Sequence, residues 1–326
     1  MAGCRGLSLM SGGLDSQLAV KLLQRAGAEV EAVCFNSPFF DISEAEKAAS
    51  ALGVKLRIVD FTDDIISLVK SPAHGFGGAM NPCIDCHALM IRRAGELMER
   101  LGYDFVATGE VQGQRPMSQN RQALGVVEKC SGLKGRLVRP LSARLLEPTI
   151  PETEGKLNRE MLLDVSGRGR ERQIALAAEF GLVEYPSPAG GCKLTEEGFA
   201  RKLKDLMDHE GLEDRTLVEL LTRARRFRLP DGTGVILGRD RADNAALREF
   251  KASGGCSFGL TLIAPVNVPG PTALLPEVKS ESDLELAKEL VCAYSRYDRL
   301  EGDVRLNVGE VPRPYNRVKF KELQIC

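Results

Sequence analysis

The segment Ser11-Gly12-Gly13-Leu14-Asp15-Ser16 follows the apolar run Leu7-Ser8-Leu9-Met10 and precedes apolar residues at helical spacing, Leu18, Ala19, Leu22 and Leu23. A strand, a glycine turn and a helix start in that order bring unpaired backbone N–H groups and the positive end of a helix dipole to one point. That is an anion cradle, and phosphate is its natural guest. Gly12 and Gly13 let the backbone approach the anion closely, Ser11 and Ser16 add hydroxyl donors, and Asp15 is placed to hold a magnesium ion on the phosphates. The whole loop, Leu14 included, is therefore the candidate nucleotide contact. It has neither the lysine and spacing of a Walker P-loop nor the three glycines of the dinucleotide fingerprint.

The loop opens an alternation of short apolar runs and helical patterns. A helix is expected over 15–25, a strand over 30–35, a helix over 44–52, a strand over 56–59, an amphipathic helix over 88–101 and a strand at Phe105-Val106-Ala107-Thr108. This order predicts an α/β fold with a doubly wound parallel sheet. Ligands bind such sheets beyond the carboxyl ends of the strands, where the glycine loop, Asn36-Ser37 and Thr108-Gly109 should gather. Residues 112–151 are rich in Gly, Arg and Pro, weak in periodicity, and read as loops and short elements around the site. A helix is expected over 158–181, with Arg168, Arg170, Arg172 and Gln173 clustered in it. Pro186-Ser187-Pro188-Ala189-Gly190-Gly191-Cys192 reads as a rigid turn that presents a cysteine on a loop. A helix over 196–208 follows, with a domain boundary near 210–214.

Three segments result: a nucleotide-binding domain over 1–150, an extension carrying Cys192 over 151–210, and a smaller α+β domain over 211–326. Lys+Arg 44 against Asp+Glu 45 leaves a formal charge of -1, so any contact with nucleic acid must come from a local patch. Candidates lie in the last domain, where Arg223, Arg225, Arg226 and Arg228 precede the strand-like Gly234-Val235-Ile236-Leu237 and the turn at Arg239. No stretch reaches the length of a membrane span and the start lacks a long apolar segment, which predicts a cytoplasmic protein with no membrane partner.

Nine cysteines in a chain of this size point to reduced thiols, a metal site or catalysis more than to disulfides. Asn81-Pro82-Cys83-Ile84-Asp85-Cys86-His87 is read as a loop just ahead of the helix at Ala88. A CxxC at a helix start suits a redox pair, a persulfide carrier or a pair of metal ligands. Cys192, after its glycine pair, is the third partner. Cys34 and Cys292 read as buried small hydrophobes.

Taken together, SGGLDS, NPCIDC, FVATGEVQGQRPMSQ and PAGGCKLT resemble the PP-loop tRNA thiouridylases over about residues 1–208, and the C-terminal stretch 234–247 resembles the RNA-binding module of the NFACT family. The resemblance implies a PP-loop, adenine nucleotide α-hydrolase-like fold and an ATP- and magnesium-dependent tRNA sulfurtransferase. In such an enzyme a uridine oxygen attacks the α-phosphate, pyrophosphate leaves, and sulfur then displaces AMP. Cys86 takes the place of the first catalytic cysteine, Cys192 that of the second, and Cys83 stands where the 2-thiouridylase pattern has aspartate. The histidine of that family's ATGH stretch is Glu110 here.

A CxxC with one distant cysteine resembles the thiolases that hold a [4Fe-4S] cluster on three thiolates, here Cys83, Cys86 and Cys192. A persulfide relay between Cys86 and Cys192 is the alternative, as is structural zinc, with His87 as fourth ligand, in an amide or lysine ligase or a metabolite-adenylating enzyme. The implied catalytic set is Asp15, Cys86 and Cys192. The nucleotide set is Ser11–Ser16 with Asn36, Thr108 and Gly109. Arg225, Arg226 and Arg239 are the expected RNA contacts. The implied partners are tRNA and a sulfur donor, either sulfide or a persulfide derived from a cysteine desulfurase, and a homodimer is left open.

Overall fold

The computed structural model describes residues 3–187, 191–254, 259–298 and 300–326. The chain divides into two compact units, Met1–Cys192 and Lys193–Cys326. Pro188, Ala189 and Gly190 of the expected turn lie outside the described residues.

The first unit runs β1 (Cys4–Leu9), α1 (Leu14–Arg25), β2 (Ala28–Asn36), α2 (Ser43–Leu52), β3 (Leu56–Asp60), α3 (Thr62–Lys70), α4 (Cys83–Leu101), β4 (Phe105–Ala107), α5 (Arg121–Ser131), β5 (Leu137–Val138), α6 (Ile150–Thr153) and α7 (Glu171–Glu179). Its five strands form one sheet in the order β3-β2-β1-β4-β5, all pairs parallel. The chain winds outward from β1 to β3 and then restarts at β4 on the other side of β1. The switch point therefore falls between β1 and β4, where a ligand crevice opens beyond the carboxyl ends. The central strands are apolar on both faces, with Leu7, Ala32, Val33, Phe105 and Val106 fully buried, as a sheet covered on both sides requires.

Three expectations for this unit need correction. The CxxC is no loop: α4 starts at Cys83, so Cys83 and Cys86 both sit in its first turn behind Pro82. Residues 112–151 contain a helix, α5, capped by the Asn120 side chain on Ala123 N at 2.8 Å and buried through Ala123, Leu124 and Val127. The helix expected over 158–181 is a single 3₁₀ turn, Arg159–Met161, and then α7. Between them the chain is pulled out straight by pairing, with Leu163 N on Pro140 O at 2.9 Å, Val165 N on Leu141 O at 2.8 Å, and a bridge from Ser166 to Gln112. α3 lies in a stretch for which the sequence pattern predicts no element.

The second unit contains α8 (Glu197–His209), α9 (Arg215–Leu221), β6 (Arg225–Arg228), β7 (Gly234–Leu237), α10 (Arg241–Ala252), β8 (Thr261–Ile263), β9 (Ala273–Leu275), α11 (Glu281–Tyr294), β10 (Val304–Leu306), β11 (Gly309–Val311) and β12 (Gln324–Ile325). β12-β6-β7-β9-β8 form an antiparallel sheet, with β10 and β11 as a separate hairpin. Phe227, Val235, Ile263, Leu290, Val291 and Phe320 are its core.

The division at Cys192, rather than near 210–214, follows from α8. Its Asp205, with Glu210 just beyond it, holds Arg226 and Arg228 of β6: Arg226 Nε–Asp205 2.8 Å, Arg226 Nη2–Glu210 2.5 Å, Arg228 Nη2–Asp205 2.8 Å and Arg228 Nη1–Glu210 2.9 Å. Four charged groups taken from water in one lattice tie the helix to the sheet.

Candidate nucleotide and thiol site

Gly12 adopts φ +80°, and a Cβ there would fall on the Glu44 backbone at the start of α2. Gly13 caps α1 with φ -68° and ψ 158° and with no side-chain cap, so the Leu14 and Asp15 N–H groups stay open to a ligand, while Ser16 N donates to Gly13 O at 3.1 Å. Its own Cβ would meet only Ser11 Oγ, at 3.5 Å. The steric demand for glycine therefore sits at Gly12. Ser16 Oγ donates to Gly13 O at 2.7 Å, and Gln17 Nε2 holds Gly12 O at 2.8 Å, which fixes the loop before any ligand arrives. Ser11 is exposed at the loop's tip, whereas the Leu14 side chain is in the core with Leu18 and Val111, so Leu14 has only its backbone to offer.

Gly109 follows β4, and a Cβ there would stand 2.7 Å from the Asp15 carbonyl carbon and the Ser16 nitrogen. The β4 end thus packs directly on the loop, as expected for a switch-point site. Asn36 ends β2 at the same edge of the sheet, its carbonyl taken by Phe61 N at 2.9 Å. Asp15 Oδ2 accepts from Gln114 Nε2 at 3.0 Å, while its Oδ1 is buried with no partner. An orphaned carboxylate oxygen beside a phosphate-type loop fits a hard cation that takes oxygen ligands, as magnesium does.

Thr108 spends its hydroxyl on Glu110 Oε2, to which it donates at 3.0 Å. Glu110 is buried between Arg139 Nε at 2.9 Å and His87 Nδ1 at 3.1 Å. Burial alone would raise its pKa; the Arg139 charge and the His87 bond overcome that and hold it at about 2, below its ordinary 4.5. A carboxylate with a depressed folded pKa stabilises fully above its unfolded pKa and loses that contribution as pH falls through the folded value. We expect the unit to lose stability between about pH 4.5 and 2 through this group. Arg139→Ala, which leaves the carboxylate unpaired, should cost ~3–5 kcal/mol in urea unfolding at neutral pH. A loss below ~1 kcal/mol would show the pair to be incidental. His87, the candidate zinc ligand, spends Nδ1 on this network.

The thiols gather at the start of α4. Asp85 anchors the approach, accepting His74 N at 2.8 Å and meeting His74 Nδ1 at 2.6 Å. Asn81 Nδ2 donates to Cys83 Sγ at 3.1 Å, and Cys86 N closes the turn on Pro82 O at 2.8 Å. Burial pushes the Cys86 thiol far up, and the neighbouring Cys192 and Cys83 push it further, so Cys192 lies within electrostatic reach although 106 residues separate it from Cys86. The three expected cysteines therefore share one neighbourhood. Soft thiols suit an iron–sulfur or zinc group, and a bound metal would supply the positive charge that lets Cys86 ionise. Among the described residues, however, no three His, Cys, Asp or Glu groups are gathered as a metal ion would require. The donor chemistry fits a cluster; the spacing as it stands does not.

In the second unit Arg226 is fully buried in the carboxylate lattice and is removed from the expected RNA contacts. Arg239 is exposed, and Arg225 is half-buried over the Tyr294 ring at 5.3 Å. Arg317, which no sequence signal singled out, lies 4.1 Å from the same ring and is exposed. Burial and then the Arg239 and Arg317 charges lower the Arg225 pKa, and Lys202 is brought down to about 8 by burial, Arg239 and Lys193. Cations close enough to depress one another form the kind of patch that phosphates occupy.

The fold and loop define an α/β domain of the PP-loop class. Residues 2–144 match the family described as "Thiamine biosynthesis protein (ThiI)", and residues 224–324 match "NFACT protein RNA binding domain". The chain thus carries a ThiI-family PP-loop domain and an NFACT-family RNA-binding domain. It is 35% identical over 112 residues to the tRNA-specific 2-thiouridylase MnmA of Sulfurimonas denitrificans, covering 31% of this chain and 32% of that one. Against the MnmA of Chloroflexus aurantiacus it is 31% identical over 170 residues, covering 44% and 46%. The chain spans about a third to just under half of these curated relatives. Among solved structures, it is similar to a predicted tRNA methyltransferase subunit of Methanocaldococcus jannaschii (17% identity, 54% of this chain and 76% of that chain, TM-score 0.36). It is also similar to a 4-thiouridine synthetase in complex with RNA and bound ATP (23% identity, 55% and 41%, TM-score 0.39). No helix among the described residues is long and apolar enough to cross a membrane.

Proposed function

We propose that the chain is an ATP-dependent tRNA sulfurtransferase that adenylates a uridine carbonyl oxygen and replaces it with sulfur to give thiouridine, in the cytoplasm. The observation that carries this reading is the presence, in one unit, of a phosphate-type loop and three electrostatically coupled thiols. An adenylating loop alone serves many reactions; thiols add a place for sulfur. The ThiI-family match and the 2-thiouridylase relatives support the same substrate class.

The chain's own groups supply the first half of the chemistry. The open N–H groups of α1 receive pyrophosphate, and Asp15 Oδ1 would hold a magnesium ion, which when bound would offset its charge. Cys83, Cys86 and Cys192 would hold a [4Fe-4S] cluster, which when bound supplies an open iron for sulfide. The shared neighbourhood of the three thiols supports this assignment, and a bound cation would favour the thiolate form of Cys86 that burial disfavours. The missing ligand spacing among the described residues favours the second reading, a relay in which Cys86 carries a desulfurase-derived persulfide and Cys192 resolves it. ATP-dependent pyrophosphate release with tRNA, followed by mass spectrometry of the nucleosides, tests the activity. Release without any thionucleoside leaves a PP-loop ligase in its place.

Arg225, Arg239 and Arg317 would hold the tRNA backbone. Their triple replacement by alanine should weaken tRNA binding and flatten its salt dependence by about one log–log unit for each phosphate that is no longer neutralised. Arg226→Ala should instead act on stability, by ~1.5–3 kcal/mol, because Asp205 and Glu210 lose their fully buried partner and keep only Arg228. An unchanged salt slope in the triple variant would remove RNA from this face.

A further inference from the structure

Beside the PP-loop lies a second helix start that this reading does not use. α1 and α7 pack side by side, with Leu14, Leu18 and Leu22 sharing a core with Val165 and Ala177. They run in the same direction, because Arg25 at the end of α1 pairs with Glu179 at the end of α7 at 3.0 Å and lies 5.0 Å from the Phe180 ring. Their N-termini therefore open at the same end. The chain entering α7 is tied to that end too: Gly167 N donates to Gln112 O at 2.8 Å, and Gln114, two residues on, holds Asp15.

Arg170 caps α7 and makes no side-chain cap bond. Gln173, in the first turn, is fully buried, yet neither its Nε2 nor its Oε1 has a partner. Helical side chains lean toward their own N-terminus, which directs this carboxamide to the opening of α7. Arg170 Nε is also buried without a partner. Buried polar atoms are almost always satisfied, so this group of orphans calls for a polar ligand. Its sign follows from charge. Ser11–Ser16 contains no cation and adds the Asp15 carboxylate, whereas at the start of α7 the exposed Arg168 and half-buried Arg170 outnumber Glu171, the one first-turn carboxylate.

We propose that the start of α7, with Arg168, Arg170 and Gln173, is a second phosphate-binding limb facing the PP-loop, which grips the β- and γ-phosphates of ATP and holds the leaving pyrophosphate. It supplies the cations that the loop lacks, in the forked geometry that suits phosphate oxygens. The proposal rests on the nucleotide reading of the PP-loop.

Calorimetric titration of the full chain with magnesium pyrophosphate, AMP and tRNA tests it. Arg168→Ala/Arg170→Ala should weaken pyrophosphate binding at least about tenfold and leave AMP and tRNA affinity within about twofold. Gln173→Leu should raise the melting temperature of the ligand-free chain, since it removes an unsatisfied amide, and shrink the further rise that pyrophosphate produces. A double variant that binds pyrophosphate like the wild type overturns the limb alone. A loss confined to tRNA overturns it in favour of an RNA phosphate site. A wild-type chain that does not bind pyrophosphate overturns the nucleotide reading itself.

Discussion

Gly12→Ala should abolish ATP binding, whereas Gly13→Ala should leave it nearly intact. Gly12 combines a φ of +80° with a Cβ position occupied by the Glu44 backbone, so a side chain must displace either the loop or the start of α2. The left-handed conformation alone costs an L-residue ~1–2 kcal/mol, and the backbone overlap adds to it. Gln17 holds Gly12 O at 2.8 Å, so any shift of Gly12 travels into the first turn of α1, whose N–H groups are proposed to receive the phosphates. Gly13 has an ordinary extended φ and ψ and room for a methyl group. Equilibrium dialysis with ATP, checked by circular dichroism for retained fold, reads the contrast. We expect a loss beyond about a hundredfold at Gly12, since ~3 kcal/mol of misplacement corresponds to that factor. Equal losses at both positions would place the phosphate against Gly13 instead.

The contrast also marks how far the sequence reaches. The strand–glycine–helix order at residues 7–23 and the alternation up to Phe105 are local patterns, and the parallel sheet follows from them because crossover handedness leaves few other arrangements. Glycines look alike in a sequence; only the packing of α2 against the loop separates Gly12 from Gly13. Arg226 fails as an RNA contact for the same reason, since alternate residues of β6 face opposite sides and its carboxylate partners come from a helix about twenty residues earlier. Gln114 and Arg139 act through contacts that span 99 and 29 residues of chain, and Gln173 through buried amide atoms with no partner, and no spacing rule reaches them. The cysteine trio stands out in the sequence because thiol chemistry is rare enough that CxxC and a cysteine after a glycine pair draw notice without any knowledge of the fold.

Replacing Cys86 by alanine should remove thiolation, by more than about a thousandfold, while ATP-dependent pyrophosphate release continues. The separation is expected because, among the described residues, Asp15 and the α1 N–H groups proposed to serve adenylation share no hydrogen bond with Cys83 or Cys86, whose hydrogen bonds run to Asn81 and Pro82. Cys83→Ala and Cys192→Ala distinguish the two sulfur chemistries. Under the cluster reading all three thiols are ligands, so each single variant prepared anaerobically should lose iron, visible absorbance and thiolation together. Under the relay reading Cys83 is dispensable, since only Cys86 and Cys192 exchange sulfur, and Cys83→Ala should keep thiolating without iron. Cys86 adds a pH signature. Its raised pKa means that, with no bound cation, the reactive thiolate gains population only as pH rises, so a relay should accelerate steadily through the alkaline range. A metal-bound thiolate is already deprotonated at neutral pH, so a cluster enzyme should show no such rise from this residue. A pH profile measured beside iron content in the same preparations therefore decides between them, and full thiolation by Cys86→Ala would overturn both.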